Sequence, residues 1–268
     1  MEHTNRVVTL LTDFGIQDYY VAAIKGVMLG INPNLSFVDI SHTVPPQDIH
    51  SAAFTLGQAF SYFPPGTVHL AVVDPGVGSE RKALAAVAGG HFFVAPDNGI
   101  LTYVLQKEQG AEVVHVTADH YFRKPVSPTF HGRDIFAPIA AWVSRDVSLY
   151  QFGPPLDKWV ALKIPQLIRV RENLLQGAVL SMDRFGNLIT NIRPEDVPAY
   201  SAADKKPCKA LAAQREITDF RATFAEGGAG DVFIVPGSTG YLEIVKRDGS
   251  AARELNLGPG APIGIVVS

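Results

Sequence analysis

The N-terminal part of the chain alternates short apolar runs with segments of helical spacing, and this alternation constrains the fold more than any other feature. Val7–Leu11 is a continuous apolar run, as is typical of a strand buried on both faces of a parallel sheet. In the next segment Tyr20, Ile24 and Met28 recur at helical spacing, and a second strand-like run follows at Leu35–Ile40. The repeat of strand, helix and strand predicts an α/β fold with a mostly parallel sheet and covering helices.

Capping and turn residues extend this prediction further along the chain. Asp48 is placed to cap a helix that runs to about Tyr62, and Gly89-Gly90 separates two apolar runs that predict a hairpin. The predicted helices are Asp18–Ile31, Asp48–Tyr62 and Asp134–Val143, and the predicted strands are Val7–Leu11, Leu35–Ile40, Val68–Val73, Leu84–Val87, Phe92–Ala95 and Val113–Val116.

After about Lys163 the pattern changes, because short strand-like runs divided by Gly and Pro replace the helical spacing. Ala202–Gln214 has the least pattern and is predicted to be a surface loop. The strand-like runs are Gly177–Met182, Leu188–Ile192, Val232–Val235, Tyr241–Val245 and Ile263–Val267. We therefore predict an α/β domain over residues 1–165 and a smaller all-β domain over residues 166–268.

Composition argues against several classes of partner. The net charge is −3 and the basic residues are scattered, so no clustered basic face for nucleic acid is expected. The apolar stretches are far shorter than the roughly 20 residues that cross a bilayer, and Met1–Arg6 is too polar and short for a signal peptide. The single cysteine, Cys208, allows neither an intrachain disulfide nor a cysteine-rich metal cluster. We predict a cytoplasmic protein.

Chemically useful side chains follow the predicted strands. Asp13, Asp39, Asp74 and Asp97 lie at or just after strand ends, where open parallel sheets bind their ligands. Each of them could equally be a turn former. Phe130-His131-Gly132-Arg133-Asp134 places a histidine just ahead of a predicted helix, which favours a functional role for His131.

A second candidate motif opens the C-terminal part. Asp183-Arg184-Phe185-Gly186-Asn187 has the composition of an ordinary β-turn, but it also combines an aromatic ring with a side-chain amide. Such a pair is suited to a purine base, because the ring stacks on the base and the amide hydrogen-bonds to its edge.

Together these motifs resemble the S-adenosyl-L-methionine (SAM) hydrolases that share ancestry with the fluorinases and chlorinases. The matching stretches, in the order of the family, are Thr12–Gly15 with Asp18, Ser41–Ile49, Val73–Gly78, Pro96–Gly99, Thr129–Asp134 and Asp183–Asn191. The resemblance implies an α/β domain joined to a small β-barrel-like domain. It also implies a homotrimer, with each site between the N-terminal domain of one subunit and the C-terminal domain of its neighbour.

The resemblance also implies the reaction. The family's hydrolases carry an Asp, Arg and His trio that the halogenases lack, and its counterparts here are Asp74, Arg81 and His131. A fluorinase serine corresponds to Gly132, and a fluorinase tryptophan to about Gln47. We therefore expect water to attack C5′ of SAM and to release adenosine and L-methionine, without a cofactor and without a metal. Arg81 is the expected cation beside the water; whether Asp74 or His131 accepts the proton is left open.

Substrate-binding roles follow from the same reading. We expect Asp13 to accept the two ribose hydroxyls, Phe185 to stack on adenine and Asn187 to bind the adenine edge. Asp183 is expected to bind the methionine ammonium and Ser238 its carboxylate. By resemblance alone, Asp18, Glu243 and Ala252 are added to the substrate-binding set.

Two other functions are compatible with these residues. A metal-dependent nucleoside or phosphate hydrolase could use Asp13, Asp74, Asp97 and His131 as hard ligands, and exhaustive chelation would inactivate it. A non-catalytic module could bind SAM or adenosine and would retain its ligand without forming product.

Overall fold

The computed structural model describes residues 6–200 and 207–267, in two compact units that divide between Leu162 and Lys163. In the first unit, six strands form one sheet in the order β2-β1-β3-β5-β4-β6. These strands are β1 (Arg6–Thr12), β2 (Leu35–Ser41), β3 (Val68–Val72), β4 (Ala83–Ala88), β5 (His91–Pro96) and β6 (Glu112–His115).

The sheet is mixed, so the prediction of a mostly parallel sheet is only partly correct. Strands β2, β1, β3 and β5 run parallel to one another, whereas β4 is antiparallel to both β5 and β6. The cause is the two-residue turn between β4 and β5, since such a turn can join only antiparallel strands. Gly89 and Gly90 both have positive φ, as the tight hairpin turn requires.

Helices cover both faces of this sheet. They are α1 (Tyr20–Ile31), α2 (Ile49–Ala59), α3 (Thr102–Lys107) and α4 (Ala137–Val143). Alternate residues of β1 enter different cores: Val8 and Leu10 pack with α1 and α4, whereas Leu11 packs with α2 and α3. The Asp48 carboxylate accepts the Ser51 N–H, which confirms the predicted cap.

Two helical segments differ from the prediction. Helix α2 ends at Ala59 and continues as a single 3₁₀ turn, and α4 is preceded by a π-helical turn over residues 132–136. Helix α3 was not predicted, because its six residues are too few for a periodic signal. Across residues 6–200 and 207–267, no helix combines the length and the apolar character needed to cross a membrane.

The second unit is an antiparallel, barrel-like sheet of eight strands. The strands are β7 (Ile168–Arg171), β8 (Leu174–Met182), β9 (Leu188–Thr190), β10 (Cys208–Ala212), β11 (Arg215–Ile217), β12 (Val232–Pro236), β13 (Leu242–Lys246) and β14 (Pro262–Val267). Their order is β11-β10-β14-β8-β9-β13-β12, with β7 paired to β8. One short helix, α5 (Ala251–Leu255), packs on this core. The expectation of a β-barrel-like fold is confirmed.

The predicted loop at Ala202–Gln214 is wrong where the structure describes it. Residues 202–206 lie outside the described residues, but Cys208–Ala212 form β10, which pairs with β11 and β14. Ala210 and Ala212 of this strand are completely buried. Alanine has a low β-propensity, so no local pattern predicts that these small side chains face the core of the barrel.

Candidate active site

A pocket of about 480 Å³ lies at the carboxyl ends of β1 and β3. Asp13 follows β1 directly and Asp74 lies two residues beyond β3, and both line the pocket. Gln47 and the 127–133 segment, which includes His131, form other parts of the wall. The predicted ligand crevice is therefore present, and it contains two of the four strand-end aspartates.

The other two aspartates have structural partners outside this wall. Asp39 accepts a hydrogen bond from Lys25 at 2.7 Å, and its second oxygen lies 3.1 Å from Nε2 of His42. Asp97 accepts the Val160 N–H at 2.8 Å. Neither aspartate lines the pocket.

Arg81 joins Asp74 to His131. Its Nε donates to both Asp74 oxygens, at 2.9 and 3.0 Å, and its Nη2 donates to Oδ2 at 2.5 Å. The same Nη2 donates to His131 Nδ1 at 2.9 Å. The side chains of Asp74 and Arg81 are only 5% and 10% exposed, so this two-point ion pair is largely shielded from water.

The guanidinium also fixes the protonation of the imidazole. Arginine offers no acceptor, so His131 Nδ1 must carry a lone pair and the ring proton must lie on Nε2. Burial lowers the pKa of His131 below its ordinary value and the charge of Arg81 lowers it further, although the charges of Asp74 and Asp134 offset part of the shift. His131 is therefore a neutral hydrogen-bond donor at its Nε2 near pH 7.

Arg81 itself does not line the pocket. Its guanidinium lies over the ring of Phe136, at 5.0 Å from the centroid, whereas Asp74 and His131 face the pocket. The cation is therefore placed behind the two groups that a bound molecule would contact, rather than beside that molecule.

The glycine turn after β3 brings these groups together. Gly78 has a φ of +78°, and a Cβ added there would lie 2.5 Å from the carbonyl oxygen of Pro128. Only glycine permits this close approach between the turn and the segment that carries His131. The sequence alone does not show what this turn packs against.

Asp134 was not among the predicted site residues, although it holds part of the pocket wall. It is completely buried, and it accepts two hydrogen bonds from Arg133 at 2.7 Å, one from Arg123 at 3.1 Å and one from the Ser127 N–H at 2.9 Å. Burial opposes its ionisation, but these bonds outweigh it and lower the pKa of Asp134. Its place at the start of a predicted helix suggested only a cap.

An aromatic cluster forms another part of the wall and was also missed. The rings of Phe14, Tyr20 and Phe130 meet edge to face, with centroids 5.1–6.1 Å apart. A Cβ added at Gly132 would lie 3.4 Å from the rings of Phe14 and Phe130. These aromatics are far apart in sequence, and no spacing pattern connects them.

The motif at the start of the second unit forms a turn that bonds to itself. Asp183 Oδ1 accepts the N–H groups of Phe185 and Asn187, and its Oδ2 accepts the Asn187 side-chain amide. Gly186 has a positive φ and approaches Ser250 closely. Asp183, Phe185 and Asn187 line a separate pocket of about 800 Å³, and the Phe185 side chain is 76% exposed.

Two family models together cover most of the chain. One describes the SAM hydroxide adenosyltransferase N-terminal domain and matches residues 8–153, and the other describes the C-terminal domain and matches residues 177–264. The chain belongs to the SAM hydroxide adenosyltransferase family.

Individual relatives support the same placement. Proteins named (R)-S-adenosyl-L-methionine hydrolase from Salinispora tropica and Thermus thermophilus are each 35% identical to this chain. Those matches cover 94% and 96% of this chain and 95% and 98% of the relatives. A more distant relative from Actinoplanes sp., named fluorinase, is 27% identical, with 97% of each chain covered. A crystal structure of an uncharacterized conserved protein from Thermotoga maritima has a TM-score of 0.89 and 35% identity, covering 97% of this chain and 99% of that one.

Other residues predicted by resemblance lie outside both pockets. Asp18 and Ser238 are exposed, while Glu243 and Ala252 are buried. Burial raises the pKa of Glu243, and the charge of Asp183 raises it further. The Ala252 N–H donates to the Gly186 carbonyl at 2.9 Å, so this residue supports the 183–187 turn.

A metal centre has no counterpart in the described part of this family member. Residues 6–200 and 207–267 contain no group of three or more His, Cys, Asp or Glu side chains arranged to hold an ion. Of the four ligands that the metal-dependent alternative required, Asp74 is paired with Arg81 and Asp97 lies outside the pocket.

Proposed function

We propose that the protein hydrolyses SAM by attack of water on C5′, and that it releases adenosine and L-methionine. The observation that carries the proposal is the guanidinium of Arg81, which binds Asp74 and His131 beside a pocket that also contains Asp13. The hydrolases named among the relatives support the same substrate and reaction.

The reaction balances without an added reactant. The water oxygen forms a bond to C5′ as the bond from C5′ to sulfur breaks, and the bonding pair returns to sulfur. The sulfonium becomes a neutral thioether, so no acid is needed for the leaving group. One water proton must be removed, and a nearby acceptor raises the rate of attack by holding it.

The hydrogen bonds of Asp74, Arg81 and His131 support a different role for each residue. Asp74 has only acceptor atoms, and His131 presents Nε2–H as a donor, so the carboxylate takes the proton while the imidazole holds the water oxygen. Arg81 keeps both groups in place and fixes the tautomer of His131. The role of the cation is then indirect, in contrast to the contact with water that the sequence suggested.

Binding roles complete the proposal. The carboxylate of Asp13 accepts the ribose hydroxyls. One of its oxygens, Oδ2, also accepts the Gln47 N–H at 2.8 Å, which orients the carboxylate. Phe185 stacks on adenine, Asn187 binds its edge, and Asp183 and Ser238 bind the two ends of the methionine. Asp18, Glu243 and Ala252 stay predictions of the resemblance.

We further propose that the active protein is a homotrimer in which neighbouring subunits share each site. The predicted residues fall on both units of the chain, each with its own pocket, and Phe185 is exposed as a stacking residue would be. A cytoplasmic location, the absence of a cofactor and the absence of nucleic-acid or membrane partners stay predictions.

Incubation with SAM in oxygen-18 water tests the reaction and its position. We expect the label at O5′ of adenosine and none in methionine, with the rate unchanged after exhaustive chelation. Unlabelled adenosine, or retention of SAM without product, would contradict the proposal, and loss of activity on chelation would favour a metal-dependent hydrolase. The Arg81→Ala variant is the control for activity from a contaminant.

A further inference from the structure

A buried histidine lies behind the pocket and takes no part in the proposed chemistry. His42 follows β2 directly and is only 7% exposed. The register of β2 against β1 shifts by one residue there, because Leu10 pairs with Asp39 but Leu11 pairs with Ser41. Such a bulge turns the end of a strand and re-aims the residues that follow it.

Three bonds join the end of β1 and the loop after it to the loop after β2. His42 Nδ1 lies 2.8 Å from Thr12 Oγ1, and the His42 carbonyl accepts the Gly15 N–H at 2.7 Å. The third bond runs from the Gln47 N–H to Asp13 Oδ2 at 2.8 Å. The two loops therefore form one wall, on which Asp13 and Gln47 line the pocket.

The hydrogen atoms of this network can be assigned from its acceptors. Asp39 accepts from Lys25 at 2.7 Å, and its other oxygen lies 3.1 Å from His42 Nε2, a contact that is close but not aligned as a hydrogen bond. Because a carboxylate only accepts, the ring proton of His42 lies on Nε2. In the neutral ring Nδ1 then accepts the Thr12 hydroxyl, whose oxygen accepts the Phe14 N–H at 3.3 Å. Hydrogen bonds therefore connect His42 through Thr12 to the backbone beside Asp13, and Asp39, which is bonded to Lys25, lies next to the other ring nitrogen.

One residue in the loop after β2 has an unfavourable backbone conformation. Gln47 has a φ of +67°, which non-glycine residues rarely adopt. A residue in this region persists only where its surroundings fix it. Thr12 is completely buried and, like His42, does not line the pocket, so both act through the residues that do.

We infer that His42 is a positioning residue, which ties the loop of Asp13 and Phe14 to the loop of Gln47 and so sets the affinity of the pocket for the nucleoside part of its ligand. The inference rests on the proposed function in one respect, namely the assignment of Asp13 to ribose. It predicts a loss of binding and not of chemistry, because Asp74, Arg81 and His131 belong to other elements.

His42→Ala tests the inference through three measurements: KM and kcat for SAM, the affinity for adenosine, and deuterium uptake of the peptide over residues 12–16. Loss of one buried hydrogen bond predicts a rise of about threefold to tenfold in KM and in the adenosine Kd, with kcat changed less than about twofold. Deuterium uptake should rise in the same peptide. His50→Ala, an exposed histidine of α2, is the matched control and should change none of these values.

A double-mutant cycle with Thr12→Val shows whether the two side chains act through one bond. If they do, Thr12→Val in the His42→Ala background adds little to KM or to uptake. His42→Asn keeps a polar atom near the position of Nδ1, so it should fold if the alanine variant does not, with an intermediate KM. Fully additive effects, unchanged uptake, or a fall in kcat at constant KM would each overturn the inference.

These experiments distinguish a failure of the inference about His42 from a failure of the proposed function. If the native protein neither hydrolyses SAM nor binds adenosine, the proposed function fails, and deuterium uptake alone decides the role of His42. A rise in uptake at residues 12–16 that Thr12→Val does not increase further supports the cross-link. Uptake equal to that of the native protein excludes it.

Discussion

At the scale of single residues, the guanidinium of Arg81 fixes the position of Asp74 and the tautomer of His131. Arg81 donates to both oxygens of Asp74 and to Nδ1 of His131, and it lies on the ring of Phe136. Lysine could supply the charge but not the planar set of donors. Position and tautomer, rather than charge alone, are what this residue contributes.

Arg81→Lys should therefore be nearly as inactive as Arg81→Ala. We expect kcat to fall by about 10²–10⁴-fold in both variants, the range for loss of one acid or base group. The affinity for adenosine should stay within about twofold, because Arg81 does not line the pocket. Near-normal turnover by either variant would remove Arg81 from the mechanism. Arg145→Lys, two residues beyond the end of α4 and outside the pocket lining, is the control.

Asp74 and Gly132 together predict which nucleophile is used. Asp74 presents a carboxylate to the pocket, which repels a halide, and Gly132 offers no side-chain donor at its position. Water is neutral on arrival and donates to the carboxylate. We expect adenosine as the only nucleoside product even in molar chloride or fluoride. Detection of a 5′-halogenated nucleoside by mass spectrometry would contradict this.

Asp13→Asn should weaken adenosine binding. The amide keeps one acceptor oxygen but loses the charge, and its NH₂ group faces either the Gln47 N–H or the ribose. Hydrogen bonds to charged groups contribute about 1.5–3 kcal/mol, so calorimetry should show a loss of that order. Asp97→Asn, outside the pocket, is the control. Equal affinities of the Asp13→Asn and native proteins would exclude the ribose assignment.

At the scale of elements, β3 and β5 carry a pair of buried imidazoles that makes stability depend on pH. His69 Nδ1 lies 2.7 Å from Thr9 Oγ1, and its Nε2 lies 3.2 Å from His91 Nδ1. His69 is completely buried and stacks on Phe93. Burial, with a smaller effect of the charge of His91, lowers the pKa of His69 to about 3.

The direction in which stability changes with pH follows from the number of protons bound by the folded and the unfolded protein. In the unfolded chain His69 becomes protonated below about pH 6.5, whereas in the folded protein it does so only near pH 3. The stabilisation that comes from the neutral, buried His69 is therefore complete above pH 6.5 and is lost as the pH falls. The free energy of unfolding should drop by about 1.4 kcal/mol for each pH unit below 6.5 from this group.

Urea unfolding at pH 7.5 and 5.5 measures this dependence. His69→Asn keeps a polar group for Thr9 but cannot titrate, so its stability should fall less between the two values than that of the native protein. His120→Asn, at an exposed position, should keep the native dependence. Equal slopes in the His69→Asn and native proteins would show that the buried pair does not govern the response.

At the scale of the whole molecule, the predicted site residues belong to two separate units. Asp13, Asp74 and His131 line the pocket of the first unit, and Asp183, Phe185 and Asn187 line the pocket of the second. A homotrimer with shared sites should have a native mass of about three times 28.9 kDa.

Mixed trimers test whether the sites are shared. Arg81→Ala and Phe185→Ala subunits are each impaired, but random mixing should give about one intact site in four when a site takes Arg81 and Phe185 from different chains. Activity at SAM concentrations below KM should then exceed that of either variant alone. Mixing Arg81→Ala with Asp74→Asn should restore nothing, because both changes affect the same pocket. No recovery in the first mixture would contradict shared sites.

The sequence by itself determined most elements of the first unit and the two-part organisation of the chain. Apolar runs, helical spacing and caps located β1, α1 and β3, because burial and backbone geometry act over a few residues. The motifs around Asp74 and His131 marked both residues as candidates for the chemistry, and the structure places both on the wall of one pocket. The βαβ rhythm predicted parallel strands, and β2, β1, β3 and β5 are parallel, whereas their order in the sheet is seen only in the structure.

Tertiary structure decided what depends on contacts between distant segments. The alanine-rich β10 became a strand because its small side chains fit the barrel core, and no local propensity marks such a fit. Arg81 came to lie behind Asp74 and His131 because the Gly78 turn closes on Pro128, fifty residues further along the chain. The His42 cross-link likewise joins two strand ends whose proximity exists only in the folded sheet.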